Sequence, residues 1–302
     1  MNQPFCSFFK PGIILPMAFP SIAKGDGPIV ESVRRIAYDA YFHAVELTWI
    51  NDAETRRQVR KLTAEAGMTV AFGAQPMLIP TGLNINAEDE ALRVKTVERV
   101  KDGILQACEM GAETLTFLSG RYSDADAAYC QLVRSIEELC AFAPAGLKLA
   151  LEVFDYDVDK KSLIGPVSLA EEIAKELCPR FNNFGITVDL SHIPLIHESF
   201  EQSVVPVGDY LVHAHLGNCV MKDPAMPAYG DMHPRFGFPN GENGVGELTE
   251  FLSLLLRLGF INTKDRPVVL FEVKPQGDED AEAVIASSKR ALDLAWAGVV
   301  QA

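Results

Sequence analysis

The 302-residue chain is short of several things, and each shortage excludes a class. Its six cysteines, Cys6, Cys108, Cys130, Cys140, Cys178 and Cys219, contain no C-x-x-C pair, and they are far too sparse for a disulfide scaffold. They are expected to be reduced and mostly buried thiols. Positive charge is also scarce: 27 Lys and Arg face 41 Asp and Glu, giving a formal net charge of −14 and a pI near 4.9. A surface that acidic repels phosphate backbones and anionic lipid, which argues against nucleic-acid and membrane partners. Long apolar runs are missing. The most apolar later stretch, Phe251 to Phe260, contains Arg257 and is too short to span a bilayer. The N-terminus has no basic region and is interrupted by Pro4, Lys10 and Pro11, so it does not read as a signal peptide. These features together lead to the expectation of a cytoplasmic protein. There is no G-x-G-x-x-G or Walker sequence to mark a dinucleotide or phosphate loop.

What is present is material for a large core, with 48% hydrophobic and 23% charged residues. Short apolar runs alternate with longer segments of helical period. The strand candidates are Gly12–Leu15, Ala44–Trp49, Met68–Ala74, Thr114–Leu118, Lys148–Val153, Phe184–Leu190, Tyr210–Leu216 and Val268–Val273. Between them the spacing predicts amphipathic helices. Ile29, Val33, Ile36 and Ala40 share one face of the first. Asp52 caps Ala53–Ala66, and Gly67 stops it. Glu88–Met110 turns Leu92, Val97, Val100, Ile104 and Cys108 inward, with Gly111 as its stop. Ser123–Phe142, Ser168–Leu177, Glu247–Leu258 and Asp280–Ala297 follow the same pattern. The short, irregular segment Ile196–Val205 is also read as helical. Strand and helix alternating in this way call for parallel pairing, and the strands read as apolar runs covered on both sides. The expected fold is therefore an α/β class (β/α)₈ TIM barrel, one domain over residues 1–302. After the seventh strand, Gly217 to Gly246 is rich in Pro, Gly, Asn and Asp and has no clear period, and a long loop of this kind is more often functional than structural.

In such a barrel the chemistry sits at the C-terminal ends of the strands. Strand five ends on Glu152, strand six on Asp189, strand seven on His215 and strand eight on Glu272. Burying these groups together is costly unless they pair or coordinate a cation. Three carboxylates and an imidazole suit one divalent metal, with Mn²⁺ first and Mg²⁺, Co²⁺ or Zn²⁺ as alternatives. His213 lies one layer deeper, roughly 7 Å, and is expected to support the site or the core. Cys219 reads as a plain buried thiol. Asp155, Asp157 and Asp159 form a D-x-D-x-D run, but Lys160 and Pro166 occupy positions where a calcium loop needs Gly and Glu. Glu46 either faces the barrel mouth or pairs with a neighbouring strand. His233 and Arg235 in GDMHPRFG either bind substrate or hold their own loop.

At these residues the chain resembles the xylose isomerase-like superfamily of sugar phosphate isomerases and epimerases, most nearly its tagatose 3-epimerase branch. The resemblance rests on Leu151-Glu152-Val153, on Asp189 with His192, on His213 to Gly217, and on Phe271-Glu272. It implies that Glu152, Asp189, His215 and Glu272 bind one metal, that Glu152 and Glu272 double as acid and base, and that His192 touches a sugar substrate. Barrels of this family often pair, so a homo-oligomer is an expectation as well. The chain departs from the epimerases' pattern at Met221, where they carry Arg, and at Val158, where they carry Glu.

The activity implied is isomerisation or epimerisation of a keto-sugar or sugar derivative, by proton abstraction beside a carbonyl through a metal-stabilised enediolate. A lyase or dehydratase on the same site is the first alternative: the same abstraction is followed by β-elimination from a keto-sugar or keto-glycoside, with His233 as acid. A non-catalytic sugar-binding barrel is the second.

Overall fold

Runs such as Leu149-Ala-Leu151 and Ile186-Thr-Val188 are apolar on both faces, which is what strands need when a barrel interior lies on one side and helices on the other. The computed structural model describes residues 3–123 and 126–299. Eight parallel strands, β1 (Lys10–Ile14), β2 (Ala44–Leu47), β3 (Thr69–Gly73), β4 (Ala112–Leu118), β5 (Lys148–Glu152), β6 (Phe184–Asp189), β7 (Leu211–Gly217) and β8 (Val268–Glu272), pair in sequence order. β8 closes on β1, so the protein is a (β/α)₈ barrel.

The longer helices pack outside the barrel: Ile29–Ala37, Ala53–Glu65, Glu90–Met110, Asp126–Phe142, Val167–Leu177, Val245–Arg257 and Ala281–Gly298. Their ends follow the sequence signals. Asp52 accepts the Thr55 N–H at 2.7 Å, and Gly111 closes the Glu90–Met110 helix at φ 75°. The residues just before Asp126, which the sequence assigns to the start of its helix, lie outside the described residues. Most apolar mass fills the layer between strands and helices. A small separate cluster of Ile14, Ala44, Ala71 and Leu270 plugs the barrel interior. That plug requires Gly12: a Cβ there would lie 2.4 Å from Leu270 Cδ2 and 2.5 Å from the Ala44 carbonyl oxygen.

Three expectations are corrected. Only Cys140 and Cys219 are buried, whereas Cys108 and Cys130 are exposed. The inward stripe of Glu90–Met110 runs through Val97, Val100, Ile104 and Ala107, and this leaves Cys108 one 100° step off the face. The segment Ile196–Val205 is helical only over Phe200–Val204, with His197 in the left-handed region at φ 60°.

Short helical turns also follow three strands, at Leu15–Ala18, Gln75–Leu78 and His192–Leu195. They crowd the C-terminal mouth of the barrel. The segment between β7 and Val245–Arg257 folds on itself through bridges from Val220 to Gly230 and Gly241, and it buries Asn218, Cys219, Val220, Asp231, His233 and Asn243. No helix among the described residues is long and apolar enough to cross a membrane.

Candidate active site at the barrel mouth

The strand register places the polar ends in a staircase. Asp189 pairs with His215, Gly217 pairs with Glu272, and Glu152 pairs with Thr187 two residues below Asp189. One donor atom each from Glu152, Asp189, His215 and Glu272 comes within 4.8 Å of the others. His215 Nδ1 lies 3.0 Å from Glu152 Oε1 and 3.0 Å from Glu272 Oε2. One imidazole proton cannot serve two carboxylates at once, and the buried Glu272 Oε2 is left without a hydrogen-bond partner. A divalent cation among these atoms would satisfy both carboxylates, so the residues present fit such an ion.

Neighbours fix these side chains from behind. The Gln75 amide donates a short hydrogen bond to Glu152 Oε2 and contacts Thr116 Oγ1 at 3.1 Å, which leaves Glu152 Oε1 facing inward. Ser191 donates its N–H and hydroxyl to the two Asp189 oxygens, each at 2.7 Å. Such supports set the orientation of metal-binding side chains. Burial pushes the Asp189 carboxyl up despite nearby His192, and Glu272 adds to the rise. A second positive charge is the natural remedy for that cost.

Glu46 resolves its alternatives in favour of the mouth. It is buried, with Oε2 accepting from His213 Nε2 at 3.1 Å and lying 3.5 Å from His215 Nε2. Burial alone would raise this carboxyl, but His215 and His213 outweigh it and hold it at about 2. Burial lowers His213, which stays neutral and donates from Nε2. Gly73 permits this packing, because a Cβ there would meet Glu46 Oε1 at 2.8 Å.

The loop after β7 supplies a second group. His233 Nε2 lies 2.9 Å from Asp231 Oδ1 and 3.3 Å from Glu272 Oε1. His192 Nε2 lies 3.2 Å from the same Asp231 oxygen, and Lys160 Nζ reaches Asp231 Oδ2 at 3.0 Å. Burial disfavours charge on His233, yet Asp231 and Glu272 raise it to about 9. The same competition, with Asp231 and Asp189 winning, holds His192 well above its usual value. Burial is likewise outweighed at Asp231, which His233, Lys160 and His192 hold well below the usual carboxylate range.

These side chains open onto a cavity of about 390 Å³. Glu46, Glu152, His215, His233 and Glu272 line it on the polar side, and Ile14, Met17 and Phe154 lie among its apolar walls. Two residues assigned to substrate contact do not reach it. His192 is turned inward by a 2.8 Å contact between Nδ1 and the Val153 carbonyl, and it packs against Phe154. Arg235 points away, its Nε donating to Glu279 Oε1 at 2.9 Å and its guanidinium over Phe238. The loop-holding role is therefore the one the structure gives Arg235. Asp155 caps its own loop by accepting the N–H groups of Val158, Asp159 and Lys160. Cys219 is buried, and burial pushes its thiol up.

Sequence reasoning missed Asp231, Lys160, Gln75 and Lys274. Asp231 had a signal, since it stands two residues before His233 in GDMHPRFG. In the sequence Lys160 stands out only as an obstacle to a calcium loop. Gln75 follows β3 through a one-turn helix that no periodicity announces. Lys274 lines the cavity and has no carboxylate partner among the described residues.

Residues 34–293 match a family model described as the xylose isomerase-like TIM barrel. No curated protein matches the sequence. Among solved structures, a D-psicose 3-epimerase with D-tagatose from Clostridium cellulolyticum H10 superposes with a TM-score of 0.70 at 17% identity, covering 97% of this chain and 100% of that one. An L-ribulose 3-epimerase gives 0.71 at 14% identity, covering 95% of each chain. A 3-keto-D-glucoside 4-epimerase from E. coli, in its apo form, gives 0.66 at 16% identity over 95% of this chain and 98% of that one. At these identities the likeness is one of fold.

Proposed function

The chain belongs to the xylose isomerase-like TIM-barrel family, and from that premise we propose that it is a divalent-metal-dependent isomerase or epimerase of a keto-sugar or sugar derivative. The observation that carries the reading is the convergence of Glu152, Asp189, His215 and Glu272 within 4.8 Å beside a cavity large enough for a sugar. A bound cation, Mn²⁺ in the first instance, would supply Lewis-acid polarisation of the substrate carbonyl and the adjacent hydroxyl.

The protein's own groups do the rest. Glu152 on β5 and Glu272 on β8 both come to 3.0 Å from His215 Nδ1, and in this reading one carboxylate removes the proton beside the carbonyl and the other returns a proton to the enediolate. Return on the opposite face inverts the carbon. Return at the neighbouring carbon isomerises the sugar. The Gln75 amide, held on the Glu152 carboxylate, keeps it aimed. Apolar walls such as Ile14, Met17 and Phe154 keep water from the reacting carbon.

Elimination on the same site has an observation of its own. His233 lies 3.3 Å from Glu272, its raised pKa keeps it protonated at neutral pH, and its backbone is held in the left-handed region at φ 49°. A protonated imidazole there can hand a proton to a departing group. The two readings part at the product, which is mass-neutral for an epimerase and unsaturated or cleaved for a lyase.

Both share the first proton transfer. With Mn²⁺ added, the protein is expected to exchange the C–H beside the carbonyl of a keto-sugar for deuterium from D₂O, followed by NMR. Glu272→Gln is expected to slow the exchange by roughly 10²–10⁴-fold. Absence of exchange with every keto-sugar tried, or full exchange in Glu272→Gln, contradicts the proposal.

A further inference from the structure

A second cavity, of about 260 Å³, adjoins the first. Ile79 and Lys160 line both, so the two share a wall. Its lining is more polar than apolar, and its charged members are Asp159, Lys160 and Arg121, one acid against two bases. The chain as a whole has 41 acidic residues against 27 basic ones, so a pocket with this balance runs against the trend of the molecule. Both bases stand beside backbone that is fixed. Segments 120–122 and 161–163 pair across the antiparallel bridge between Arg121 and Ser162. The Tyr122 N–H donates to the Lys161 carbonyl at 2.6 Å, and the Leu163 N–H donates to the Gly120 carbonyl at 3.0 Å. Asn84 Oδ1 accepts the Arg121 N–H at 2.9 Å, and Asn86 Nδ2 donates to the Arg121 carbonyl at 2.8 Å.

The two bases differ in what they already hold. Lys160 Nζ lies 2.8 Å from Asp159 and 3.0 Å from Asp231, and Asp231 belongs to the lining of the main cavity. The Arg121 guanidinium has no carboxylate partner among the described residues. Within the side cavity Lys160 therefore offsets Asp159, and the charge of Arg121 is left over. We propose that this cavity is a subsite for an anionic group, a carboxylate or a phosphate, carried by the sugar at the end away from its carbonyl, with Arg121 as the residue that reads it. The inference rests on the sugar-binding reading of the main cavity and names the substrate class for it, an acidic keto-sugar in place of a neutral one. A guanidinium presents parallel N–H donors whose spacing matches two oxygens of either anion. Lys160, on the shared wall, keeps the Asp159 carboxylate from repelling such a group. Elsewhere the excess of carboxylates repels an anion, so a local surplus of positive charge sets which end of the sugar enters here.

The test is a set of binding constants, so it does not depend on turnover. Calorimetry on the full chain with Mn²⁺ compares D-fructose, D-fructuronate and D-fructose 6-phosphate. The three share a ketone and differ at the far carbon, which carries a hydroxyl, a carboxylate or a phosphate. At least one of the two acids is expected to bind about tenfold tighter than D-fructose, and the tighter of them identifies the source of the charge. Arg121→Ala, at an exposed position, is expected to remove most of that advantage, and Arg121→Lys to keep part of it. D-fructose, which brings no charge, reports in each variant whether the main cavity is intact. An anion that binds the metal directly would keep its advantage in Arg121→Ala. Equal constants for the three sugars, an acid preference that survives in Arg121→Ala, or a loss of the same size for D-fructose would overturn the subsite. Deuterium exchange without an acid preference strikes the subsite alone, and an acid preference without exchange strikes the catalytic reading alone.

Discussion

At the scale of single residues, the site depends on keeping several carboxylates charged in a buried place. Glu46 shows the consequence for stability. Its folded pKa of about 2 lies below its unfolded value of 4.5, so its contribution is complete above pH 4.5 and is lost as pH falls toward 2. The full shift corresponds to about 3 kcal/mol. Glu46→Gln is therefore expected to lose stability at pH 6 and to flatten the decline in urea midpoint between pH 6 and pH 3. An unchanged acid limb would remove Glu46 from the account. The residues that end strands were legible in the sequence because a barrel strand has a fixed end and a known direction. Glu152, Asp189 and Glu272 end their strands, and His215 lies two residues before the end of β7. Asp231 and Lys160 were not legible as a pair, because 71 positions separate them and only the folded loop brings their charges together. Arg235 carries the same functional appearance in sequence as His233, yet two residues of chain turn it toward Glu279 and out of the cavity.

At the scale of elements, the eight strands follow the sequence pattern to within about two residues at each end, because a strand buried on both faces has no polar alternation to confuse its limits. The one-turn helices after β1, β3 and β6 escape such reading, since four residues cannot show a period. The long segment after β7 was legible as a loop but not as a folded lobe. Two asparagines are part of its attachment, beside the Lys160–Asp231 and Arg235–Glu279 pairs. Asn243 donates to the carbonyls of Leu190 and Gly217 at 3.0 and 3.1 Å, and its N–H reaches Asn218 Oδ1 at 2.7 Å. These bonds tie the lobe that carries Asp231 and His233 to the ends of β6 and β7. Asn243→Ala leaves two buried carbonyls short of partners and is expected to cost about 1–3 kcal/mol in urea unfolding, with a larger loss in activity than in stability. A variant that unfolds at the same urea concentration and retains full activity would show that the lobe is held by other means.

At the scale of the whole molecule, the formal charge of −14 overstates the acidic surface. Glu46, Glu152, Asp189 and Asp231 are all buried and gathered at one end of the barrel. Concentrated negative charge of this kind destabilises a fold unless something positive shares it. On this account the missing share is one divalent cation per chain, and its binding free energy adds to stability: at 100 times the dissociation constant the gain is about 2.7 kcal/mol. The most direct measurement is equilibrium dialysis against Mn²⁺ followed by metal analysis, on the wild type and on Asp189→Asn. The account predicts one ion per wild-type chain, removed by a chelator and lost or greatly weakened in Asp189→Asn. No stoichiometric ion in the wild type, or the same occupancy in Asp189→Asn, would contradict it.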